Sequence, residues 1–288
     1  MPEPAHYLAR IERALALVQD AAGSHEWPSL ADLAAQAAMS PFHFHRIYRL
    51  ATGETPQSTL SRVRLGASLP VLAGTGGIAA ATERSGYATS QSYARALKSL
   101  TGATPSELRA DPQRLADVVA AICTPAGGAG TSPPDCRIEL VDLAPIQLAS
   151  VRKTGDYRKL DEGYHALFER VLSHVDESAV LGLYGIPHDD PRDCDPHECR
   201  FDCAVELSAD CSQPGDVDTI AREAAPALRL RLPGDYDAVH TALDELYRVV
   251  LALDLRLADD LPLNHYHHDP EEVPVEELLA DIHLCLVE

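Results

Sequence analysis

Four cations recur at a fixed separation in the first half of this chain. Residues 44–56 read FHRIYRLATGETP, and 49 positions later residues 93–105 read YARALKSLTGATP. Arg46 thus falls on Arg95, Arg49 on Lys98, Thr52 on Thr101, Gly53 on Gly102 and Pro56 on Pro105. Paired arginine-bearing segments suit recognition of phosphates or of base edges, where a guanidinium fork meets two acceptors at once. The second half repeats at an offset of 79: Gly155-Asp156-Tyr157 falls on Gly234-Asp235-Tyr236, Asp190-Pro191 on Asp269-Pro270, and Asp202 on Asp281. Two further groups hold metal-ligand types. Cys194, Cys199 and Cys203 stand with His188 and His197, and His265, His267 and His268 flank Tyr266. The cysteines lack the close pairing of zinc sites, and Cys203 falls inside an expected strand, so no metal is expected. The chain also lacks a P-loop, a nucleophile elbow and a dinucleotide fingerprint, so no catalytic residue and no cofactor is assigned.

Two unrelated duplications in one chain imply two domains, each built from a doubled unit. At 288 residues and 45% hydrophobic content there is material for two packed cores. The net charge of −20 argues against nucleic acid until it is divided. Residues 1–115 carry 11 basic and 9 acidic residues, a balance of +2, and the remaining 13 basic and 35 acidic residues leave −22. The acidity belongs to the second domain, and the first is free to approach phosphates. Lysine occurs only at positions 98, 153 and 159, which fits either a salty cytoplasm or biased coding. No apolar run approaches the roughly 20 residues of a membrane span, so a cytoplasmic protein with no membrane partner is expected. Seven cysteines in such a chain read as reduced thiols.

The elements that must position the arginines are helical. Tyr7, Leu8, Ile11, Leu15 and Val18 keep a helical period that closes near Gly23. Ser29 with Asp32 is a capping pattern, and Ser40-Pro41 starts the next helix with an N-cap and a proline in its first turn. That helix turns Phe44, Ile47 and Tyr48 inward and leaves Phe42, His43, His45, Arg46 and Arg49 on the remaining surface. The pattern returns over 78–86 and 89–100, where Tyr93 and Leu97 pack inward and Gln91, Ser92, Arg95 and Lys98 face outward. Two helix-turn-helix units follow, joined by a helix over 57–73 that Pro70 should kink or shorten.

Residues 29–109 resemble the DNA-binding domain of AraC/XylS-type transcription regulators. The carrying segments are LADLAAQAAMSPFHFHRIYRLATGETP, RVRLGAS and IAAATERSGYATSQSYARALKSLTGATPSELR. Departures are Ala81 and Thr82 in place of the usual Ile and Ala, Pro70 in the connecting helix, and Ala37 where the turn often has glycine. The resemblance implies that helices 41–51 and 90–100 enter successive major grooves of duplex DNA, about 34 Å apart, at a distance set by the connecting helix. It makes Arg46 the base reader of the first unit, with Phe42 and His45 beside it. Gln91, Ser92 and Arg95 hold the matching places in the second, and Arg49 and Lys98 complete the DNA-facing set.

Residues 124–134 (TPAGGAGTSPP) read as a flexible interdomain linker, giving domains over 1–112 and 135–288 with a connection at 113–134. Beyond it, 137–143 and 147–152 alternate like strands, 159–175 keeps a helical period, and 180–186 and 200–207 are further strands. The second copy gives a strand at 227–232, a helix at 237–253, and strands near 262–267 and 280–287. Two strand-helix-strand-strand units make an α+β domain with an antiparallel sheet and helices on one side. This half resembles the GyrI-like effector-binding domain of Rob-type and BmrR-type regulators. The resemblance rests on Gly155-Asp156-Tyr157, residues 186–191 with Arg200-Phe201-Asp202, Gly234-Asp235-Tyr236, and 266–270 with Pro274, Glu276, Glu277 and Asp281-Ile282. It implies a concave, aromatic-lined pocket for amphipathic, often cationic compounds. Tyr157, Tyr164, Tyr184, Tyr236, Tyr247 and Tyr266 are the candidate liners, and Glu206 and Asp281 the candidate counter-charges.

Together these readings describe a transcription regulator, not an enzyme. Its partners would be double-stranded DNA, a small-molecule effector and RNA polymerase, and two readers in one chain favour a monomer. The alternatives are a GyrI-like hydrolase, with Glu206 or Asp281 as general base, and a topoisomerase-binding protein using the acidic second domain.

Overall fold

The computed structural model describes residues 6–24, 26–122, 137–209, 211 and 214–287, and the chain divides into two compact units after Ala129. The stretch read as a flexible linker, 124–134, lies outside the described residues.

The first unit is helical: α1 (His6–Ser24), α2 (Leu30–Gln36), α3 (Pro41–Thr52), α4 (Pro56–Ala73), α5 (Gly77–Ser85), α6 (Ser90–Thr101), α7 (Pro105–Ala110) and α8 (Pro112–Ile122). The 49-residue repeat is visible in the punctuation. Ser40 and Thr89 cap α3 and α6, accepting hydrogen bonds from His43 N and Ser92 N. Gly53 and Gly102 close the same two helices at φ 80° and 72°, a left-handed conformation that favours glycine. Ser29 and Asp32 form the expected capping box on α2. α4 runs through Pro70 to Ala73, so the proline stands in the last turn and costs little more than one intrahelical bond.

One core of this unit gathers Leu65, Leu69 and Leu72 of α4 with Ala81, Tyr93, Leu97, Ala103 and Leu108. Leu115 and Ile122 of α8 join it, and Arg62 Nη1 donates to the Ile122 carbonyl at 3.2 Å. The connection expected from residue 113 therefore begins as a helix of the first unit. Leu115, Val118 and Ile122 form an apolar stripe at helical spacing, which outweighs the proximity of the Pro/Gly-rich run.

The second unit contains β1 (Arg137–Leu143), β2 (Ile146–Thr154), α9 (Leu160–Leu172), β3 (Val180–Pro187), β4 (Arg200–Leu207), β5 (Asp218–Arg222), β6 (Ala225–Pro233), α10 (Val239–Leu253), β7 (Leu263–Tyr266) and β8 (Leu279–Cys285). All strands join one antiparallel sheet in the order β1-β6-β8-β7-β3-β4-β2-β5. The order is palindromic by repeat. β2, β4 and β3 mirror β6, β8 and β7, and the two halves meet where Gly185 pairs with Asn264. β5 was not expected. It is the counterpart of β1, and each of these leading strands crosses to the edge of the other repeat, β1 onto β6 and β5 onto β2.

Register divides the side chains between two faces. Phe201, Cys203 and Val205 of β4 and Ala149 of β2 pack under α9 with Leu167 and Val171. Leu228, Leu230 and Leu232 of β6 do the same under α10. The opposite face carries a second cluster of Leu148, Tyr184, Ile186, Ala204 and Leu263.

Candidate functional site

α4 is the shaft on which both α3 and α6 hang. Tyr48 Oη of α3 donates to Thr59 Oγ1 at 2.7 Å, and Thr59 passes the chain to Glu54 Oε1 at 2.7 Å, which Arg62 also binds. Tyr93 of α6 shares a 3.0 Å hydrogen bond with Ser68. Thr59 and Ser68 stand nine residues apart on α4, roughly 13 Å along the axis, so the reader helices attach at separate levels.

The two readers present their cations differently. On α6, Gln91, Arg95 and Lys98 are exposed, while Ser92 is half-buried and bonded to Thr89 in the helix cap. On α3, Arg46 is only 1% exposed and lays its guanidinium 5.1 Å above the Phe42 ring, itself buried. His45 and Arg49 are half-buried. Of the expected DNA-facing set, Gln91, Arg95 and Lys98 are the side chains open to solvent.

In the second unit the expected liners fall on opposite faces. Tyr157, Tyr164, Tyr236, Tyr247 and Tyr266 lie on the side of the helices, and Tyr184, Glu206 and Asp281 on the other. Most tyrosine hydroxyls on the helix side are already engaged. Tyr157 donates to the Arg200 carbonyl at 2.5 Å and Tyr236, its repeat counterpart, to the Leu279 and His268 carbonyls at 3.0 and 2.9 Å. Tyr164 donates to the Tyr184 carbonyl at 2.9 Å. Tyr266 packs edge-on to Tyr164 and tilted to Tyr236, with ring centroids 6.3 and 4.7 Å apart. Burial raises all four phenols above their ordinary range, so they stay neutral. Asp156 and Asp235 accept from the backbone two residues on and start the short helical turns that carry Tyr157 and Tyr236. The duplicated Gly-Asp-Tyr motif thus builds a tyrosine latch between turn and strand.

On the face away from the helices, Tyr184 stacks on His265 with centroids 4.5 Å apart and an interplanar angle of 13°. Its hydroxyl donates to Glu206 Oε2 at 3.2 Å. Burial, then the neighbouring His267 and His283, push His265 down to about 4, so the ring is neutral at pH 7. Among the described residues Glu206 makes no ion pair.

Asp281, the other expected counter-charge, is spoken for. Arg231 grips it with two bonds of 2.9 and 2.8 Å, and His267 Nε2 lies 3.0 Å away. The same trio recurs 79 residues earlier: Arg152 grips Asp202 at 2.7 and 3.0 Å, with His188 at 2.7 Å. Sequence reasoning found Asp202 and Asp281 but not their partners, although Arg152/Arg231 and His188/His267 obey the same offset. Burial tends to raise both carboxyls, but the hydrogen bonds from their histidines and arginines outweigh it and hold each at about 2. Because the folded value lies below the ordinary 3.8, the stabilisation is in place above pH 4 and disappears as pH falls toward 2. Acid titration of the double variant Asp202→Asn/Asp281→Asn should show a flatter loss of stability across that window than the parent. An identical slope would mean that the trios carry no linkage.

The cysteines divide as well. Cys203 is buried beneath α9, its sulfur against the Leu160 carbonyl, while Cys194 lies in the loop between β3 and β4. Burial pushes the thiols of Cys199 and Cys203 up to about 12. They are protonated at neutral pH and poor as nucleophiles.

A helical unit with two helix-turn-helix elements, followed by a doubled strand-helix-strand-strand sheet, defines a two-part architecture. The chain belongs to the family described as the GyrI-like small molecule binding domain, whose model matches residues 137–286. A helix-turn-helix domain model matches residues 33–111. Over 81 residues the chain is 38% identical to the regulatory protein Ada of Salmonella typhimurium, a match covering 28% of this chain. It spans only 23% of that relative's length. Among solved structures, EcmrR in its DNA complex is similar over 53% of this chain and 58% of its own, with 13% identity and a TM-score of 0.46. The DNA-binding domain of AdpA, solved with a target DNA, is 26% identical over 34% of this chain and 90% of its own, with a TM-score of 0.30. No helix among the described residues is long and apolar enough to cross a membrane.

Proposed function

We propose that this chain is a sequence-specific, DNA-binding transcription regulator whose second unit binds a small amphipathic cation. The observation that carries the reading is the pair of N-capped helices, α3 and α6, anchored by tyrosine hydroxyls to one shaft, with Gln91, Arg95 and Lys98 open on α6. The +2 charge balance of residues 1–115 and the helix-turn-helix match support it. The DNA-facing set is Gln91, Arg95 and Lys98 on α6 with the half-buried His45, Arg49 and Ser92, while Phe42 and Arg46, both buried, stand behind it as support. Two readers in one chain let a monomer hold an asymmetric site, and RNA polymerase in the cytoplasm is the partner through which such a site acts.

For the effector, Glu206 is the counter-charge, with the Tyr184–His265 stack as its aromatic wall. A carboxylate beside a flat aromatic surface attracts a lipophilic cation, each aromatic contact contributing about 0.5–2 kcal/mol. Tyr157, Tyr164, Tyr236, Tyr247 and Tyr266 support the fold of the pocket module from the helix side. The role is binding without turnover. Calorimetry with tetraphenylphosphonium tests the site: Glu206→Gln should weaken binding about tenfold or more, while Asp281→Asn leaves it within about twofold, because Arg231 already balances Asp281. Equal affinity in parent and Glu206→Gln would remove Glu206 from the site. A shift in operator affinity on adding the cation would tie the two units together functionally.

A further inference from the structure

The last carbonyls of a helix have no intrahelical partners and must find others. At the end of α5, three consecutive carbonyls find theirs outside their own helix-turn-helix unit. Trp27 Nε1, from the connection between α1 and α2, donates to the Arg84 carbonyl at 3.4 Å. Arg64, from the middle of α4, donates Nε to the Ser85 carbonyl at 2.7 Å and Nη2 to the Gly86 carbonyl at 2.6 Å. Its guanidinium also lies 4.6 Å over the Tyr87 ring. Arg84 returns the link, donating Nη2 to the Ala22 carbonyl of α1 at 2.6 Å. The indole abuts the turn closely enough that a Cβ at Gly86 would stand 2.7 Å from Trp27 Cδ1. Gly86, at φ 68°, is the left-handed C-cap where α5 ends and the chain turns toward α6.

The turn of the first helix-turn-helix is pinned by the same logic but from one helix. Arg10 Nη1 of α1 donates to the Ala38 carbonyl at 2.8 Å, and Arg13 Nε reaches the Gln36 carbonyl at 3.4 Å. In both units an arginine from the preceding long helix holds the turn. The second has in addition a side chain from the other helix-turn-helix unit's side of α4, and that side chain is the single tryptophan of the chain.

We propose that Arg64 and Trp27 are positioning residues that fix α6 relative to α3 and so set the half-site spacing the chain accepts on duplex DNA. The inference rests on the DNA-reading function proposed above. One inserted base pair carries the second half-site about 3.4 Å along the axis and about 35° around it. A clamped pair of readers cannot follow that displacement, whereas a pair released at the 84–86 turn can.

The test uses the full-length chain and duplexes selected by it from a random-sequence pool. The best duplex is then remade with one base pair added or removed between the two contacted segments. The parent protein should lose about 30-fold in affinity on either change. Arg64→Met, which keeps the stem and removes the donors, should lose about threefold or less, and Arg64→Lys should fall between them. Trp27→Phe should also relax the ratio. A stability defect alone would lower affinity for all duplexes together and leave the spacing ratio at the parent value. That outcome in Arg64→Met, or in Trp27→Phe if Arg64→Met does not fold, overturns the proposal. Failure of the parent to select any duplex would instead overturn the DNA-reading function on which the proposal rests.

Discussion

Leu97→Ala should lower the stability of the first unit by about 2–5 kcal/mol and abolish the DNA binding proposed for it at 37 °C. Leu97 is fully buried on the inner face of α6, in the core that α4 shares with Tyr93, Ala103 and Leu108. Truncation removes three carbons from a site walled by α4 leucines and backbone, where collapse around the cavity is limited. Urea unfolding separates the units, because Trp27 fluorescence reports only the first. The tryptophan transition should move to lower urea while the circular dichroism of the sheet unit keeps its midpoint. A shift worth less than about 1 kcal/mol would mean that α6 is not seated as described.

The second large effect is on reading itself. Arg95 is exposed on α6, one turn beyond Gln91 and one turn before Lys98. Arg95→Ala should cost about 1–3 kcal/mol on the preferred duplex and less on random sequence, since a guanidinium on a base edge adds discrimination beyond its phosphate charge. Lys98→Ala should weaken both duplexes alike and reduce the salt slope by about 1. Equal losses on the two duplexes for Arg95→Ala would reassign it as a backbone contact. Arg46 is a different case. Its guanidinium rests on Phe42 and the side chain is buried, so Arg46→Ala removes packing as well as charge.

Much of this was legible in the sequence because duplication and capping are local signals. The 49-residue offset places α3 and α6 end for end, and Ser29, Ser40, Thr89, Gly53 and Gly102 punctuate the helices where their chemistry requires. The strand and helix order of the second unit followed from alternation and the 79-residue offset. What local pattern could not show was partnership across the sheet. Asp281 and Glu206 look alike as strand carboxylates, but register sets Arg231 opposite Asp281, whereas Glu206 lies opposite Gly182 and is reached diagonally by the Tyr184 hydroxyl. The tyrosines looked like a pocket wall because aromatic side chains do line pockets, yet the hydroxyls of Tyr157, Tyr164 and Tyr236 are fastened to backbone carbonyls. β5 escaped because Asp218-Thr219-Ile220-Ala221-Arg222 is short and weakly alternating, although shifting β1 by 79 residues would have located it. α8 escaped because the Pro/Gly-rich run beside it suggested a connection, whereas Leu115, Val118 and Ile122 already marked a buried stripe.

Two capped arginine-bearing helices on a common shaft should leave a double footprint. Methylation interference at guanine N7, on the duplex the full chain binds most tightly, measures this directly. The expected pattern is two clusters of interfering guanines on one face of the duplex, centred about 10 base pairs apart, with Arg95→Ala erasing one cluster and sparing the other. A single cluster, or two on opposite faces, would contradict the arrangement of α3 and α6 as paired readers.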